Sequence, residues 1–106
     1  MSRGEVRWYQ FPHPDKRRPV LVLTRTSVIP HLSEVTVAPI TTRIRNIPTE
    51  VRLTRGDGMP RDCAVNLDHL QTISQAKLGK VLTTLSERKL REVRPALLFA
   101  LGFDYD

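Results

Sequence analysis

The strongest constraint on how this chain can fold is an apolar run, Val20–Leu23, that follows directly on Arg18 and Pro19. A short, continuous apolar run with β-branched residues predicts a buried strand. Pro19 fits the first position of such a strand, where its missing N–H costs little. We therefore expect Arg18 at the mouth of the strand, with its backbone fixed by the core. A guanidinium held in this way suits a phosphate, although a solvated strand entrance also explains the residues.

Six further segments have the alternation or the β-branched composition of short strands, with turn residues between them. They are residues 4–11, 34–40, 49–54, 63–67, 71–73 and 77–85. The last of these segments also fits a short helix, and we favour a strand. Residues 25–31 and 68–70 predict short helical turns, and residues 57–60 (DGMP) predict a tight turn.

The C-terminal helix has the clearest pattern. Ser86 is suited to cap its N-terminus, and Gly102 is suited to end it. An apolar stripe at helical spacing, which we expect to face the core, consists of Leu90, Val93, Leu97 and Leu101. Pro95 lies inside this pattern and should kink or split the helix, because it removes a backbone hydrogen bond at a cost of ~3 kcal/mol.

Together these elements predict one domain over residues 1–106. A chain of this length can enclose a single hydrophobic core. Several short strands, tight turns and one terminal helix predict a mainly β fold with α. We expect a small, partly open β-barrel of short antiparallel strands with the C-terminal helix packed on it.

The charge of the chain favours an anionic partner, and nucleic acid first. The net charge is +6 and the isoelectric point is about 10.2. Residues 3–55 hold ten Lys and Arg against four Asp and Glu, whereas the rest of the chain holds seven of each. The basic field therefore belongs to the first half. The low aromatic content argues against a broad base-stacking surface.

The composition also excludes several classes of protein. A single cysteine, Cys63, cannot form an internal disulfide, and we expect it to fill a semi-buried position. No Cys and His cluster has ligand spacing, so we expect no metal and no cofactor. There is no apolar run of membrane-spanning length and no signal-peptide pattern. We therefore expect a cytoplasmic protein without a membrane partner.

A second strand also ends in polar and basic residues. Thr41 and Thr42 follow the third predicted strand, and Arg43 and Arg45 come next. A phosphate could meet these groups and Arg18 on two sides of one pocket. Without further information, ordinary strand-end threonines are the simpler explanation.

Five short segments of the sequence, taken together in their order and spacing, are typical of a known protein family. They are residues 3–6 (RGEV), 18–23 (RPVLVL), 39–42 (PITT), 48–51 (PTEV) and 65–73 (VNLDHLQTI). With the closing residues 100–102 (ALG), they resemble the MazF/PemK (Kid) family of type II toxin–antitoxin endoribonucleases. The resemblance covers essentially the whole chain, and it implies the SH3-like barrel shared by MazF and CcdB toxins.

The resemblance also implies a function. It implies a toxin that cleaves single-stranded RNA at short sequences without a metal ion, and so inhibits translation and growth. The working unit would be a homodimer, with RNA across or near the dimer interface. The cognate antitoxin would cover the site with a disordered C-terminal segment, which we expect to be acidic.

The family's functional residues map onto this sequence only in part. Its arginine before Pro-Val-Leu matches Arg18, and its hydroxyl residue after the third strand matches Thr41. The PemK/Kid branch has an Arg-x-Asp pair, but here Asn66 stands in place of the arginine and only Asp68 remains. That branch also uses a histidine in the first loop, where this chain has His13. The predicted RNA-binding set is His13, Lys16, Arg17, Thr42, Arg43, Arg45 and Asp68.

These residues suggest a mechanism. The 2′-OH of RNA attacks the adjacent phosphate, and Arg18 stabilises the charge that grows on the phosphorane. Arg18 is a poor base, because a guanidinium stays protonated. Thr41 can donate a hydrogen bond to a non-bridging oxygen or position the 2′-OH. The expected products are a 2′,3′-cyclic phosphate and a 5′-OH end.

Other schemes remain open from the sequence alone. Two histidines can serve as acid and base. Of the three, His13 has the RNA-facing position, whereas we expect His31 and His69 to be structural. A CcdB-type gyrase poison shares the fold, although residues 102–106 do not resemble its tail. A non-catalytic nucleic-acid-binding barrel is the other alternative.

Overall fold

The computed structural model describes residues 1–105, so Asp106, the last residue of the predicted domain, lies outside the described residues. Within residues 1–105 there are seven strands, namely β1 (Glu5–Gln10), β2 (Arg17–Val22), β3 (Glu34–Thr41), β4 (Glu50–Leu53), β5 (Cys63–Asn66), β6 (Gln71–Ser74) and β7 (Leu78–Thr84). One helix follows, α1 (Glu87–Leu101). Short 3-10 turns cover Thr26–His31, Arg55–Asp57, Leu67–His69 and Gln75–Lys77. Each predicted strand is present, and residues 78–84 form a strand.

The strands form one antiparallel sheet in the order β4-β5-β3-β2-β1-β7, and β6 pairs with β3 as well. No ladder within residues 1–105 joins the outer strands β4 and β7, so the sheet stays open. The predicted mainly β fold of short antiparallel strands with a C-terminal helix is confirmed.

Strand β3 is central because it changes partners along its length. Its first half, residues 34–37, pairs with β6. Residues 37–39 pair with β2, and residues 40–41 pair with β5. The start of β2 and the turn Leu67–His69 after β5 therefore belong to opposite edges of β3. A site at the end of β3 can draw side chains from both.

The sheet is covered on both faces. Val6 and Leu21 belong to a core cluster that includes Val93 and Ala96 of α1. The alternate residues Val20, Val22, Val35, Val37 and Ile73 belong to a second cluster with Tyr9 and Phe11. Successive side chains of a strand point to opposite faces, so the continuous apolar run of β2 is buried on both, as predicted.

Helix α1 begins and ends at the predicted residues. The Ser86 hydroxyl accepts a hydrogen bond from the Lys89 N–H at 3.1 Å, and Gly102 ends the helix with φ +77°. The predicted split at Pro95 is wrong, because the helix runs unbroken through it. Pro95 is exposed, so solvent can bond the carbonyl that the missing N–H leaves free. No helix within residues 1–105 is long and apolar enough to cross a membrane.

The predicted apolar stripe faces the core only in part. Val93 and Ala96 are buried, and Leu90 and Leu97 pack against them from the sides. Leu101 is 53% exposed, so its predicted core position is wrong. At 3.6 residues per turn, Leu101 lies roughly 110° around the helix from the midpoint between Val93 and Ala96. The period of the stripe therefore carries Leu101 away from the sheet.

Cys63 fills space in the core, although it is more deeply buried than the predicted semi-buried position. It lies on β5 and is 2% exposed. Burial, with smaller effects of Asp62 and Asp57, raises the pKa of the Cys63 thiol to about 11. The thiol is therefore protonated at neutral pH and is unsuited to act as a nucleophile.

The 3-10 turn Arg55–Asp57, which leads into the predicted turn at residues 57–60, is held by two side chains. The Thr54 hydroxyl accepts a hydrogen bond from the Gly56 N–H at 3.2 Å, and the Asp57 carboxylate accepts one from the Thr54 N–H at 2.8 Å. Gly58 follows with φ +94°, and a Cβ there would collide with the side chain of Thr83. Only glycine fits this position without strain.

Candidate active site

A cavity of about 280 Å³ lies at the C-terminal end of β3. Its polar residues come from β2, from the end of β3 and the loop after it, from the end of β5 and the 3-10 turn that follows, from the start of β6, and from the loop before β2. The groups that the argument uses are Arg18, Thr41, Arg43, Arg45, Asn66 and His69. Two distant strand ends, each marked by polar residues in the sequence, thus meet in one cavity.

Arg18 lies at the start of β2, as predicted, although the strand begins two residues before Pro19 and so includes Arg18. Strand β2 begins at Arg17, and Arg18 pairs with Tyr9 of β1. The pairing with β1 continues past Pro19 to Arg17 and so extends β2 toward its N-terminus. It holds the backbone of Arg18 on the side that faces β1. The Arg18 side chain is half-buried and lines the cavity.

Strand β2 accommodates Pro19 as its third residue because of how β2 pairs with its two neighbours, β1 and β3. The Val22 carbonyl accepts a hydrogen bond from the Gly4 N–H at 2.9 Å, so the N–H groups of even-numbered residues in β2 face β1. The N–H that Pro19 lacks would face β3. The ladder between β2 and β3 begins only at Val20, so the missing donor leaves no gap in it.

Arg17 has a different place from Arg18, although the two are adjacent. Successive residues of a strand point to opposite faces. The Arg17 guanidinium lies over the Trp8 ring, 4.6 Å from its centroid. Arg17 does not line the cavity. Trp8 is half-buried and stacks with this cation.

Thr41 supplies a hydroxyl at the last position of β3. Its Oγ1 accepts a hydrogen bond from the Arg43 N–H at 3.0 Å. The hydroxyl proton is not used in that bond, so Thr41 can donate it into the cavity. The neighbouring Thr42 is exposed and does not line the cavity.

A buried carboxylate holds the loop that carries Arg43 and Arg45. Glu50 Oε1 accepts hydrogen bonds from the N–H groups of Arg45 at 2.9 Å and Asn46 at 3.2 Å. The Glu50 side chain is 2% exposed, and its Oε2 lies 4.0 Å from Nε of Arg45. The loop also contains Asn46 in a left-handed conformation with φ +56°. Glu50 therefore fixes a turn that places Arg45 at the cavity.

We expect Glu50→Ala to lower the free energy of unfolding by about 1–3 kcal/mol, because two N–H groups lose their shared acceptor. Urea unfolding followed by circular dichroism measures this loss. Glu50→Gln is the matched control, since its side-chain oxygen can still accept both bonds, and it should lose less than half as much. An equal loss in both variants would contradict the anchoring role of Glu50 Oε1.

The 3-10 turn Leu67–His69 places His69 at the cavity. Asn66 Oδ1 caps the turn by accepting a hydrogen bond from the Asp68 N–H at 3.0 Å. Asp68 Oδ2 accepts a bond from the Thr49 hydroxyl at 2.6 Å. Asp68 thus ties the turn to the start of β4 and lies outside the cavity lining. Asn66 and His69 both line the cavity.

Of the nine predicted site residues, four line the cavity, namely Arg18, Thr41, Arg43 and Arg45. The other five lie outside its lining, namely His13, Lys16, Arg17, Thr42 and Asp68. Sequence reasoning missed four polar lining residues, namely Asp15, Asn66, His69 and Gln71. One signal could have found a pair of them. The resemblance marks Asp68, and Asn66 and His69 lie at the two ends of the capped turn that contains it.

The charge of the cavity suits an anion. Three guanidinium groups line it, from Arg18, Arg43 and Arg45, against one carboxylate, that of Asp15. Planar guanidinium groups match phosphate oxygens with paired donors. Within residues 1–105, no three His, Cys, Asp or Glu side chains come together at metal-binding spacing.

Comparison with known proteins gives the family. The model of a family described as "PemK-like, MazF-like toxin of type II toxin-antitoxin system" matches residues 2–101. The chain belongs to this PemK/MazF family. The resemblance of the five sequence segments is thereby confirmed.

Curated relatives of this PemK/MazF chain occur in Mycobacterium tuberculosis. Endoribonuclease MazF3 is 45% identical over 92 residues, which cover 87% of this chain and 85% of that protein. The probable endoribonuclease MazF5 is 43% identical over 101 residues, which cover 94% and 92% of the two chains.

Solved structures have the same fold. The Mycobacterium tuberculosis toxin MazF-mt6 is 38% identical, with a TM-score of 0.87 over 95% of this chain and 99% of that one. An endoribonuclease in complex with its cognate antitoxin, from a mycobacterial species, is 25% identical, with a TM-score of 0.88 over 100% and 99%. The predicted CcdB/MazF-type fold is therefore confirmed.

Proposed function

We propose that this chain is the toxin of a type II toxin–antitoxin system and an endoribonuclease that cuts single-stranded RNA at short sequences without a metal ion. The observation that carries the proposal is the meeting of Arg18 and Thr41 in one cationic cavity. Relatives named endoribonuclease, such as MazF3, support the reaction class.

The reaction begins at the 2′-OH, which distinguishes RNA from DNA. The 2′-oxygen attacks the adjacent phosphorus, and negative charge grows on the non-bridging oxygens. Arg18 stabilises that charge with donors already fixed in place by β2. Thr41 donates its hydroxyl proton to a non-bridging oxygen or orients the 2′-OH. The products are a 2′,3′-cyclic phosphate and a 5′-OH end.

In this proposal, cationic side chains of the protein neutralise the negative charge of the phosphate, as a metal ion does in other nucleases. Arg43 and Arg45 bind phosphates on either side of the cut, and Glu50 keeps their loop in place. Lys16 and Arg17, outside the cavity, add salt-dependent affinity for the RNA backbone. His13 and Thr42 contact RNA that extends beyond the cavity, and Asp68 acts by holding the turn of His69.

Two protein partners complete the proposal. A cognate antitoxin covers the cavity with an acidic, disordered C-terminal segment that folds on binding. Antitoxin complexes of structural relatives, including MazE-MazF of Deinococcus radiodurans, support this partner. The working unit is a homodimer with RNA near its interface. Because translation takes place in the cytoplasm, a toxin that stops translation by cutting RNA acts there.

A cleavage assay tests the function. We expect the purified protein to cut a long unstructured RNA at one short recurring sequence, with and without EDTA, and the antitoxin to stop the cutting. A shift of the RNA without cuts would instead indicate a binding protein. Poisoning of gyrase without action on RNA would indicate a CcdB-type toxin. Cutting that EDTA abolishes would contradict the metal-independent mechanism.

A further inference from the structure

We propose that His69 is the general acid of this reaction and protonates the 5′-oxygen as it leaves. The inference rests on the proposed endoribonuclease function and adds a residue to its mechanism. It starts from the placement of His69, which lines the same cavity as Arg18 and Thr41. All three histidines are exposed, and His13 and His31 lie outside this lining.

The cavity needs an acid, and its other side chains are poorly suited to that task. The guanidinium groups do not give up a proton near neutral pH, and amide side chains and a threonine hydroxyl are weak acids. Carboxyl side chains ordinarily ionise well below neutral pH. Imidazolium is the side-chain acid that exchanges its proton near neutral pH. His69 is the imidazole that the cavity offers.

The position of His69 also fits the stereochemistry of the reaction. In an in-line displacement the attacking 2′-oxygen and the leaving 5′-oxygen occupy opposite sides of phosphorus. Arg18 reaches the cavity from β2 along one edge of β3, and His69 reaches it from the turn after β5 along the other edge. A phosphate seated at Thr41, at the end of β3, would have His69 on one side. The proposal seats the leaving 5′-oxygen on that side, while Arg18 meets the non-bridging oxygens.

The turn that carries His69 is held firmly enough for such a role. The Asn66 cap and the hydrogen bond from Thr49 to Asp68 fix the residues directly before His69. Acid catalysis needs a donor in a fixed position within hydrogen-bond reach of the leaving oxygen. The same contacts give Asp68 a positioning role outside the cavity.

The proton balance of the step is simple. The 2′-oxygen forms a bond to phosphorus, and the bond from phosphorus to the 5′-oxygen breaks. The proton of the 2′-OH passes to water, and the imidazolium of His69 gives its proton to the 5′-oxygen. Neutral His69 then recovers a proton from water, so no net proton is gained or lost.

A sulfur substitution in the substrate tests this role directly. Once the wild-type cut site has been mapped, an oligonucleotide is made with a 5′-bridging sulfur at that bond. A thiolate leaves without being protonated, so an acid is no longer needed. We expect His69→Ala to cut the normal RNA about 10²–10⁴-fold more slowly than wild type, and to cut the sulfur substrate at nearly the wild-type rate.

The controls separate an acid from a structural residue. His31→Ala, at a histidine outside the cavity lining, should cut both substrates as wild type does, and Arg18→Ala should be slow on both. His69→Gln keeps a polar side chain without an exchangeable proton near neutral pH, and it should behave as His69→Ala does. Equal slowing of His69→Gln on both substrates would overturn the inference. Wild-type rates of His69→Ala and His69→Gln on normal RNA would overturn it as well. Failure of the wild-type protein to cut RNA would instead overturn the proposed function.

Discussion

Arg18→Ala is expected to slow RNA cleavage by about 10²–10³-fold or more, which is the typical loss when one fixed donor to a developing oxyanion is removed. The reason is local, because Arg18 is held in β2 by its pairing with Tyr9 and lines the cavity. The loss should appear mainly in kcat, since the charge that Arg18 meets is greatest in the transition state. Single-turnover cleavage of a labelled oligonucleotide measures it.

Arg17→Ala is the matched control for this prediction. It removes the same charge from the neighbouring position, but its guanidinium stacks on Trp8 outside the cavity. We expect Arg17→Ala to weaken RNA binding by a few-fold, with a reduced salt dependence and an unchanged kcat. Thermal melting should show that both variants are folded. Equal losses of kcat in the two variants would show that general basicity, and not the position of Arg18, drives the reaction.

Leu21→Ala is expected to lower the free energy of unfolding by about 2–5 kcal/mol. Leu21 is fully buried on the helix-facing side of the sheet, in the cluster with Leu53 and Val93. The substitution leaves a cavity between the sheet and α1 that close-packed neighbours cannot fill. Because Leu21 lies three residues after Arg18 on β2, the loss would also loosen the strand that positions the guanidinium.

Chemical unfolding in urea measures this loss, and Leu32→Ala is its control. Leu32 is 46% exposed, so its truncation should change the free energy of unfolding by no more than about 0.5 kcal/mol. A loss for Leu21→Ala below about 1 kcal/mol would contradict the two-sided burial of β2.

The fold was largely predictable because its strands are short and strongly patterned. The alternation in β4 and the continuous apolar run in β2 each specify a strand and its buried faces. The start of β2 was harder, because the pairing with β1 continues through Pro19. Long-range pairing, which local composition does not encode, decides such a boundary.

The helix shows how surroundings outweigh local preference. Pro95 is tolerated because it lies on the exposed side. Leu101 has the right residue type for the stripe, yet it is exposed because it lies roughly 110° around the helix from the buried residues Val93 and Ala96. Propensity and periodicity predict the element, whereas burial depends on what the element is packed against.

The candidate site was predictable only where the chain marks a strand end. Arg18 and Thr41 stand beside apolar strands, so their backbone positions follow from the sequence. His13 and Lys16 are close to Arg18 along the chain but do not line the cavity, whereas His69 is distant along the chain and does line it. Proximity in sequence is a poor guide in a sheet whose central strand exchanges partners.

The ends left by wild-type cleavage test the central claim most directly, namely that the cationic cavity around Arg18 and Thr41 promotes attack by the 2′-OH. The measurement is end-group analysis of the two fragments by mass spectrometry, with a parallel substrate that carries a 2′-deoxy nucleotide at the cut site. The account predicts a 2′,3′-cyclic phosphate and a 5′-OH, with no cleavage of the deoxy substrate. Fragments with 5′-phosphate ends, or cleavage of the deoxy substrate, would contradict it.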